Sequence, residues 1–200
     1  MILSRVDLLD YLETGRLKIE PPVTPDRVAQ VSVDLSLGRK FTTFRDPPAY
    51  LPAIHIDHSL WDSADLWEHF EQDVFRLHPG HFVLAQTLEK ILIPEDVVGL
   101  VEGRSSWARM GVTVHLTAPK IDPGFNAHIT LEMFNFGNVA VDLRAAIDRP
   151  AQLMLLRPTT PLRTQELYEQ GKDDRFQGQT APIPHRKSCR ASPRCRAARP

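Results

Sequence analysis

Hydrophobic and polar positions change period along this chain, and each change predicts a different element. From Ser4 to Thr14 the spacing is helical. Val6, Leu9 and Leu12 share one stripe with Leu8 and Tyr11 beside it, Ser4 stands as a cap with Asp7 three residues on, and Gly15 follows the end. Pro21-Pro22 and Pro25 then force a loop. Between Val31 and Leu37 the pattern becomes strict alternation, with Val31, Val33, Leu35 and Leu37 facing one way and Ser32, Asp34 and Ser36 the other, which predicts a half-buried strand ending at Gly38. Residues 46–72 contain prolines, acids near Trp61 and Trp67 and no clear period; they read as an insertion, with a short helix around Leu66–Phe70. From Phe75 to Phe136 short apolar stretches are broken at Pro79-Gly80, Pro94, Gly99, Gly103, Gly111 and Pro123-Gly124, the spacing of an all-β sandwich or barrel. Further strands are expected at Val139–Leu143 and Gln152–Leu156. There is no internal repeat.

Composition narrows this picture. Two hundred residues, 42% apolar and 24% charged, suit one globular domain with a tail. No apolar run reaches about 18 residues, so no membrane span is expected. The start acquires acids at once and lacks a basic leader, so no secretory signal is read. The net charge of −1 is unevenly spread: residues 185–200 hold six Lys/Arg and no acids, leaving 18 basic against 25 acidic residues elsewhere. An acidic body argues against a nucleic-acid polymer as partner but leaves room for a nucleotide, which needs only a local cluster of cations. Ser188–Pro200, almost purely Arg, Ala, Pro, Ser and Cys, is expected to be a disordered basic tail beyond a domain spanning 1–185. The two cysteines, Cys189 and Cys195, both lie there; that is no disulfide framework and fits a reducing, cytoplasmic setting.

The densest chemistry lies in Glu102-Gly103-Arg104-Ser105-Ser106-Trp107-Ala108-Arg109-Met110-Gly111. Two serines where a short helix starts, a glycine where it stops and two flanking arginines make either a phosphate site or an ordinary capped turn with solvated arginines. Thr117 to Phe125 carries Ile121-Asp122-Pro123-Gly124-Phe125 and leads into a strand, Ile129–Phe136. On it Ile129, Leu131 and Met133 share one face; Thr130, Glu132, Phe134 and Phe136 share the other. Glu132 is thus either solvated at the surface or held in a pocket, where a carboxylate suits proton shuttling.

Taken together, Gly-Arg-Ser-Ser-Trp-Ala-Arg at 103–109, Ile-Asp-Pro-Gly-Phe at 121–125 and Thr-Leu-Glu at 130–132 resemble the dCTP deaminase family of the trimeric dUTPase-like superfamily. Val33 to Gly38 resembles the family's early strand, and Tyr168, Arg175 and Gln179 resemble its C-terminal nucleotide-closing segment. Related dUTPases share the Gly-Arg-Ser turn and the Ile-Asp pair but carry an apolar residue in place of the glutamate, so Glu132 and Ser106 favour a deaminase.

The resemblance implies a mainly β fold, a distorted dUTPase-like β-barrel or jelly roll with a short N-terminal helix and few small helices. It implies hydrolysis of dCTP to dUTP and ammonia in pyrimidine deoxynucleotide biosynthesis. Glu132 would shuttle protons, and Ser105 and Arg109 would hold water and developing charge. Arg104, Ser105, Ser106 and Arg109 would meet the phosphates or the reacting centre, with Trp107 and Ala108 in the same binding turn. Asp122 would accept from the sugar 3′-hydroxyl, the backbone at Thr130 and Leu131 would read the base, and Tyr168, Arg175 and Gln179 would close over the triphosphate. Mg²⁺ would arrive bound to the triphosphate, with no metal held by the protein. The partners implied are a homotrimer with sites shared between subunits, and dTTP as an inhibitor.

Two alternatives remain open at this stage. Pro119-Lys120 stands where monofunctional members carry His-Arg and bifunctional ones carry glycine after the alanine, so a deaminase that continues to dUMP and diphosphate is one; a non-catalytic nucleotide-sensing trimer is the other. The stretch Arg144–Pro150 lacks the family's usual turn glycine. A zinc deaminase is not supported. His69-Phe70-Glu71 supplies the first half of its signature, but no Pro-Cys-x-x-Cys follows. His55/His58 and His78/His81 have loose metal-like spacing without a completing ligand; His115 and His128 read as core or interface residues.

Overall fold

The computed structural model describes residues 1–46, 66–160, 162–167 and 179–182. The insertion between 47 and 65, Tyr168, Arg175 and the basic tail lie outside them, as do Trp61, His55, His58, Cys189 and Cys195. Helix α1 (Arg5–Glu13) starts with the expected capping box, in which the Ser4 hydroxyl and the Asp7 carboxylate each satisfy the other residue's backbone N–H. Its inward face is Leu8 and Tyr11 with Leu9 and Leu12 beside them; Val6, assigned to the buried stripe from spacing, is 77% exposed.

The rest is mainly β. One sheet has the order β1 (Lys18–Glu20), β6 (Phe82–Leu92), β3 (Lys40–Phe44), β4 (Trp67–Glu71), with β9 (Asn126–Phe134) also paired to β6. A second has the order β2 (Val33–Leu35), β11 (Ala151–Leu156), β7 (Val98–Gly103), β8 (Lys120–Ile121). A third joins β10 (Val141–Arg144) to β5 (Val74–Leu77). Every registered pairing is antiparallel, and one apolar cluster joins the sheets: Val33 and Leu35 of β2, Val83, Ala85 and Ile91 of β6, Leu131 and Met133 of β9, and Leu153 and Leu155 of β11. Burying such residues at about 25 cal/mol per Å² is what holds the layers together.

Three local expectations change. The strand expected at 31–37 shortens to β2. Val31 is exposed, while Ser32 and Ser36 are buried, because Ser32 donates to Gln152 Oε1 and the Ser36 N–H donates to the Glu89 carboxylate. A buried polar group with a partner no longer marks the wet face. The helix expected around Leu66–Phe70 is instead β4, registered against β3 so that Trp67 opposes Phe44 and Phe70 opposes Phe41. The three-residue spacing of these aromatics mimics a helix turn; cross-strand aromatic pairing decides the outcome. Residues 67–71 of the expected 46–72 insertion therefore belong to the sheet. In the turn at Arg144–Pro150, Ala146 takes the left-handed conformation (φ 61°) that a glycine would fill, while the buried Asp148 accepts from the Arg144 N–H at 2.7 Å.

Candidate active site

Strand β7 delivers Gly103 to the turn, and α2 (Ser105–Ala108) is a single short helix. Arg104, rather than a serine, is its N-cap, and its carbonyl accepts from the Trp107 and Ala108 N–H groups at 3.0 and 3.1 Å. Trp107 packs against the core and fixes the helix; Ser105, Ser106, Ala108 and Arg109 are exposed. Among the described residues, the Ser105 and Ser106 hydroxyls and the Arg109 guanidinium make no hydrogen bond. Arg104 is held: its Nη1 lies 3.2 Å from Asp34 Oδ2 and donates to the Arg149 carbonyl at 3.4 Å. Gly111 ends the turn at φ 83°, and a Cβ there would stand 2.5 Å from the Gly137 nitrogen, so no other residue fits without moving the loop after β9.

Around Asp122 the chain turns sharply through Gly124 (φ 87°) with Phe125 buried beneath it. Lys120 Nζ contacts Asp122 Oδ1 at 2.7 Å on a partly exposed surface. Strand β9 then alternates as expected: Ile129, Leu131 and Met133 are buried, while Thr130, Glu132 and Phe134 are half-buried on the other face. Phe136, assigned to that outer face, lies beyond the strand and is exposed. Glu132 is half-buried and its carboxylate is held. Its Oε2 accepts from the Leu116 N–H at 3.1 Å, and its own backbone N–H donates to Val114 at 2.9 Å. Gln179 is brought to the same face, where its Nε2 donates to Thr130 Oγ1 at 2.5 Å and to the His128 carbonyl at 3.2 Å. Because a carbonyl only accepts, this bond fixes which end of the Gln179 amide faces the strand.

The structure thus joins Thr130 to Gln179 and groups Arg104 to Arg109 on one turn. It does not bring the Glu132 carboxylate into hydrogen-bond contact with Ser105 or Arg109 within the one chain. Three participants had no signal in the sequence. The Leu116 N–H is backbone; the Asp34 contact to Arg104 and the Glu102 contact to His115 (3.1 Å) cross between strands and loops distant in sequence. The other histidines among the described residues have ordinary partners or surroundings. His69 Nδ1 lies 2.7 Å from Thr42 Oγ1, His128 Nδ1 lies 3.1 Å from the Thr87 carbonyl, and His78 and His81 are exposed. No group of three or more His, Cys, Asp and Glu side chains among the described residues is placed to hold a metal ion. No described helix is long and apolar enough to cross a membrane.

The family model described as dCTP deaminase-like matches residues 2–157. The chain belongs to the dCTP deaminase family. A protein from Methanosphaera stadtmanae named dCTP deaminase, dUMP-forming, is 39% identical over 183 residues, covering 90% of this chain and 91% of its own. One from Haloarcula marismortui named dCTP deaminase is 39% identical over 189 residues, covering 91% and 92%. Among solved structures, 2′-deoxycytidine 5′-triphosphate deaminase from Agrobacterium tumefaciens shares the fold with a TM-score of 0.60 at 20% identity, over 82% of this chain and 49% of that one.

Proposed function

We propose that this dCTP deaminase family member hydrolyses Mg²⁺-bound dCTP to dUTP and ammonia. The observation that carries the reading is the state of Glu132: a carboxylate on the outer face of β9, half-buried, aimed by one backbone N–H and otherwise without a partner among the described residues. In this reading the carboxylate takes a proton from water as the oxygen attacks the amine-bearing ring carbon. It then returns that proton to the nitrogen, the carbon–nitrogen bond breaks and ammonia leaves. Ser105 and Arg109 hold the water and the charge that develops on the ring. Arg104 and Ser106 take phosphate oxygens; the Asp34 contact keeps the Arg104 fork in one orientation before substrate arrives. Asp122 accepts from the sugar hydroxyl, the Thr130–Leu131 backbone reads the base, and Gln179, already seated on Thr130, closes the site with Tyr168 and Arg175. Because the turn and the carboxylate do not meet within one chain, the complete site in this reading pairs the turn of one subunit with the β9 strand of another in a homotrimer. dTTP is proposed as an inhibitor competing for it.

A second reading, in which the same site also cleaves the triphosphate, is favoured by the dUMP-forming relatives at 39–41% identity. Incubating purified protein with Mg²⁺ and dCTP separates the two. Ammonia with accumulating dUTP supports the first; ammonia with dUMP and diphosphate supports the second; absence of ammonia removes both.

A further inference from the structure

Glu102 is the penultimate residue of β7, two residues before Arg104, and its Oε2 lies 3.1 Å from His115 Nε2, with the Glu102 and His115 side chains 40% and 22% exposed. Among the described residues His115 Nδ1 is buried and has no hydrogen-bond partner. Because a carboxylate only accepts, the ring donates through Nε2 to Glu102. The segment containing this histidine is fixed at its start to the strand that carries Glu132. The Thr113 N–H donates to the Phe134 carbonyl at 3.0 Å, the Thr113 hydroxyl accepts from the Phe134 N–H at 3.1 Å, and Val114 accepts from the Glu132 N–H at 2.9 Å. Its far end is Leu116, whose side chain is exposed and whose N–H is the donor to Glu132 Oε2. Among the described residues nothing else donates to that carboxylate. Between the anchored start and this donor stands His115, tied to β7 by Glu102.

We propose that Glu102, acting through His115, is a positioning residue for Glu132: the pair holds residues 113–116 so that the Leu116 N–H aims the carboxylate. This rests on the reading of Glu132 as the proton carrier. Glu102 touches no reacting atom. Its effect passes through two hydrogen bonds and one backbone segment, and it also ties the strand leading to the serine–arginine turn to the strand carrying the acid. A misplaced proton carrier reacts slowly while substrate still binds, so the signature is a loss in kcat at nearly constant KM.

The test is Glu102→Ala, with Glu102→Gln as the variant that keeps an acceptor for His115. In Glu102→Ala the Leu116 amide is expected to exchange its hydrogen at least about tenfold faster while amides in β6 are unchanged. Its kcat for Mg²⁺-dCTP is expected to fall by roughly ten- to a hundredfold, with KM within about threefold of wild type. Glu102→Gln should recover most of both. Unchanged Leu116 exchange with unchanged kcat overturns the proposal, and so does a rise in KM with kcat intact, which would place the damage in the neighbouring Arg104 turn. A loss that Glu102→Gln fails to recover also counts against it. Should Glu102→Ala not fold, His115→Ala carries the same expectations. If the wild-type protein releases no ammonia, the functional reading fails, while Leu116 exchange still reports separately on the pair.

Discussion

Two clusters in this molecule use the same residue types to opposite ends. Around Glu89 the polar groups face one another. Arg27 Nη2 contacts Glu89 Oε1 at 2.6 Å, the Asp34 carbonyl at 2.6 Å and Ser36 Oγ at 3.1 Å, and the Ser36 N–H reaches both Glu89 oxygens. The Glu89 side chain has no solvent exposure and that of Arg27 has 12%. Around α2, Arg109 and two serines face outward without hydrogen-bond partners among the described residues, and Glu132 has a single donor among them. An arginine, at least one serine and a glutamate make up both. What separates them is burial and mutual pairing: a buried set whose charges face one another fixes architecture, even with Arg27 Nε left without a partner among the described residues, whereas an exposed set on a rigid turn is available to a ligand. Asp34 belongs to both, giving its carbonyl to Arg27 and its carboxylate to Arg104.

That contrast breaks if the two clusters respond alike to substitution. The largest effect is expected from Glu132→Gln, which keeps the shape but removes the carboxylate that the proposed reaction uses. Ammonia release should fall by about 10²–10⁴-fold with the thermal midpoint unchanged, as read by steady-state assay and calorimetry. Glu89→Ala should do the reverse. It strands a buried guanidinium and should lower stability in urea denaturation by about 3–5 kcal/mol, while activity per folded molecule stays near wild type. Smaller still, Ala146→Gly relieves a left-handed alanine whose side chain belongs to neither cluster and should raise stability by up to about 1 kcal/mol with no kinetic change. The smallest effect is at the N-terminus. Hydrogen bonds from the Ser4 hydroxyl and backbone hold the Asp7 carboxyl below its ordinary value, so its stabilisation is present above the unfolded-chain value of about 3.9 and is lost as pH falls through the lower folded value. The melting difference between wild type and Asp7→Asn should therefore be constant near neutrality and close in acid.

Much of this was legible in the sequence because it is local. The Ser4–Asp7 box, the alternation along β9 and the glycine at 111 each depend on a few adjacent residues, and the structure places them as read. The residues of the proposed site were nominated for the same reason, since 103–109 and 130–132 are contiguous. What escaped depends on partners distant in the chain. Trp67 and Phe70 became a strand because Phe44 and Phe41 lie opposite them, Ser36 is buried because Glu89, 53 residues away, accepts its N–H, and His115 pairs with a glutamate that no spacing rule connects to it. Periodicity reports which face a residue prefers; it carries no information about which distant group will satisfy it.

Gly111 and Gly137 lie almost backbone to backbone. A Cβ on the first would sit 2.5 Å from Gly137 N, a Cβ on the second 2.8 Å from the Met110 carbonyl, and the Phe136 N–H donates to the Gly111 carbonyl at 2.7 Å. Two main chains pressed together without side chains between them behave as a weld. The exit of the helix and the exit of the long strand share one rigid joint, and a hinge cannot operate there. Drift over generations is constrained at both positions, because enlarging Gly111 demands that Gly137 retreat and enlarging Gly137 demands that the Met110 carbonyl and the Asn135 side chain retreat.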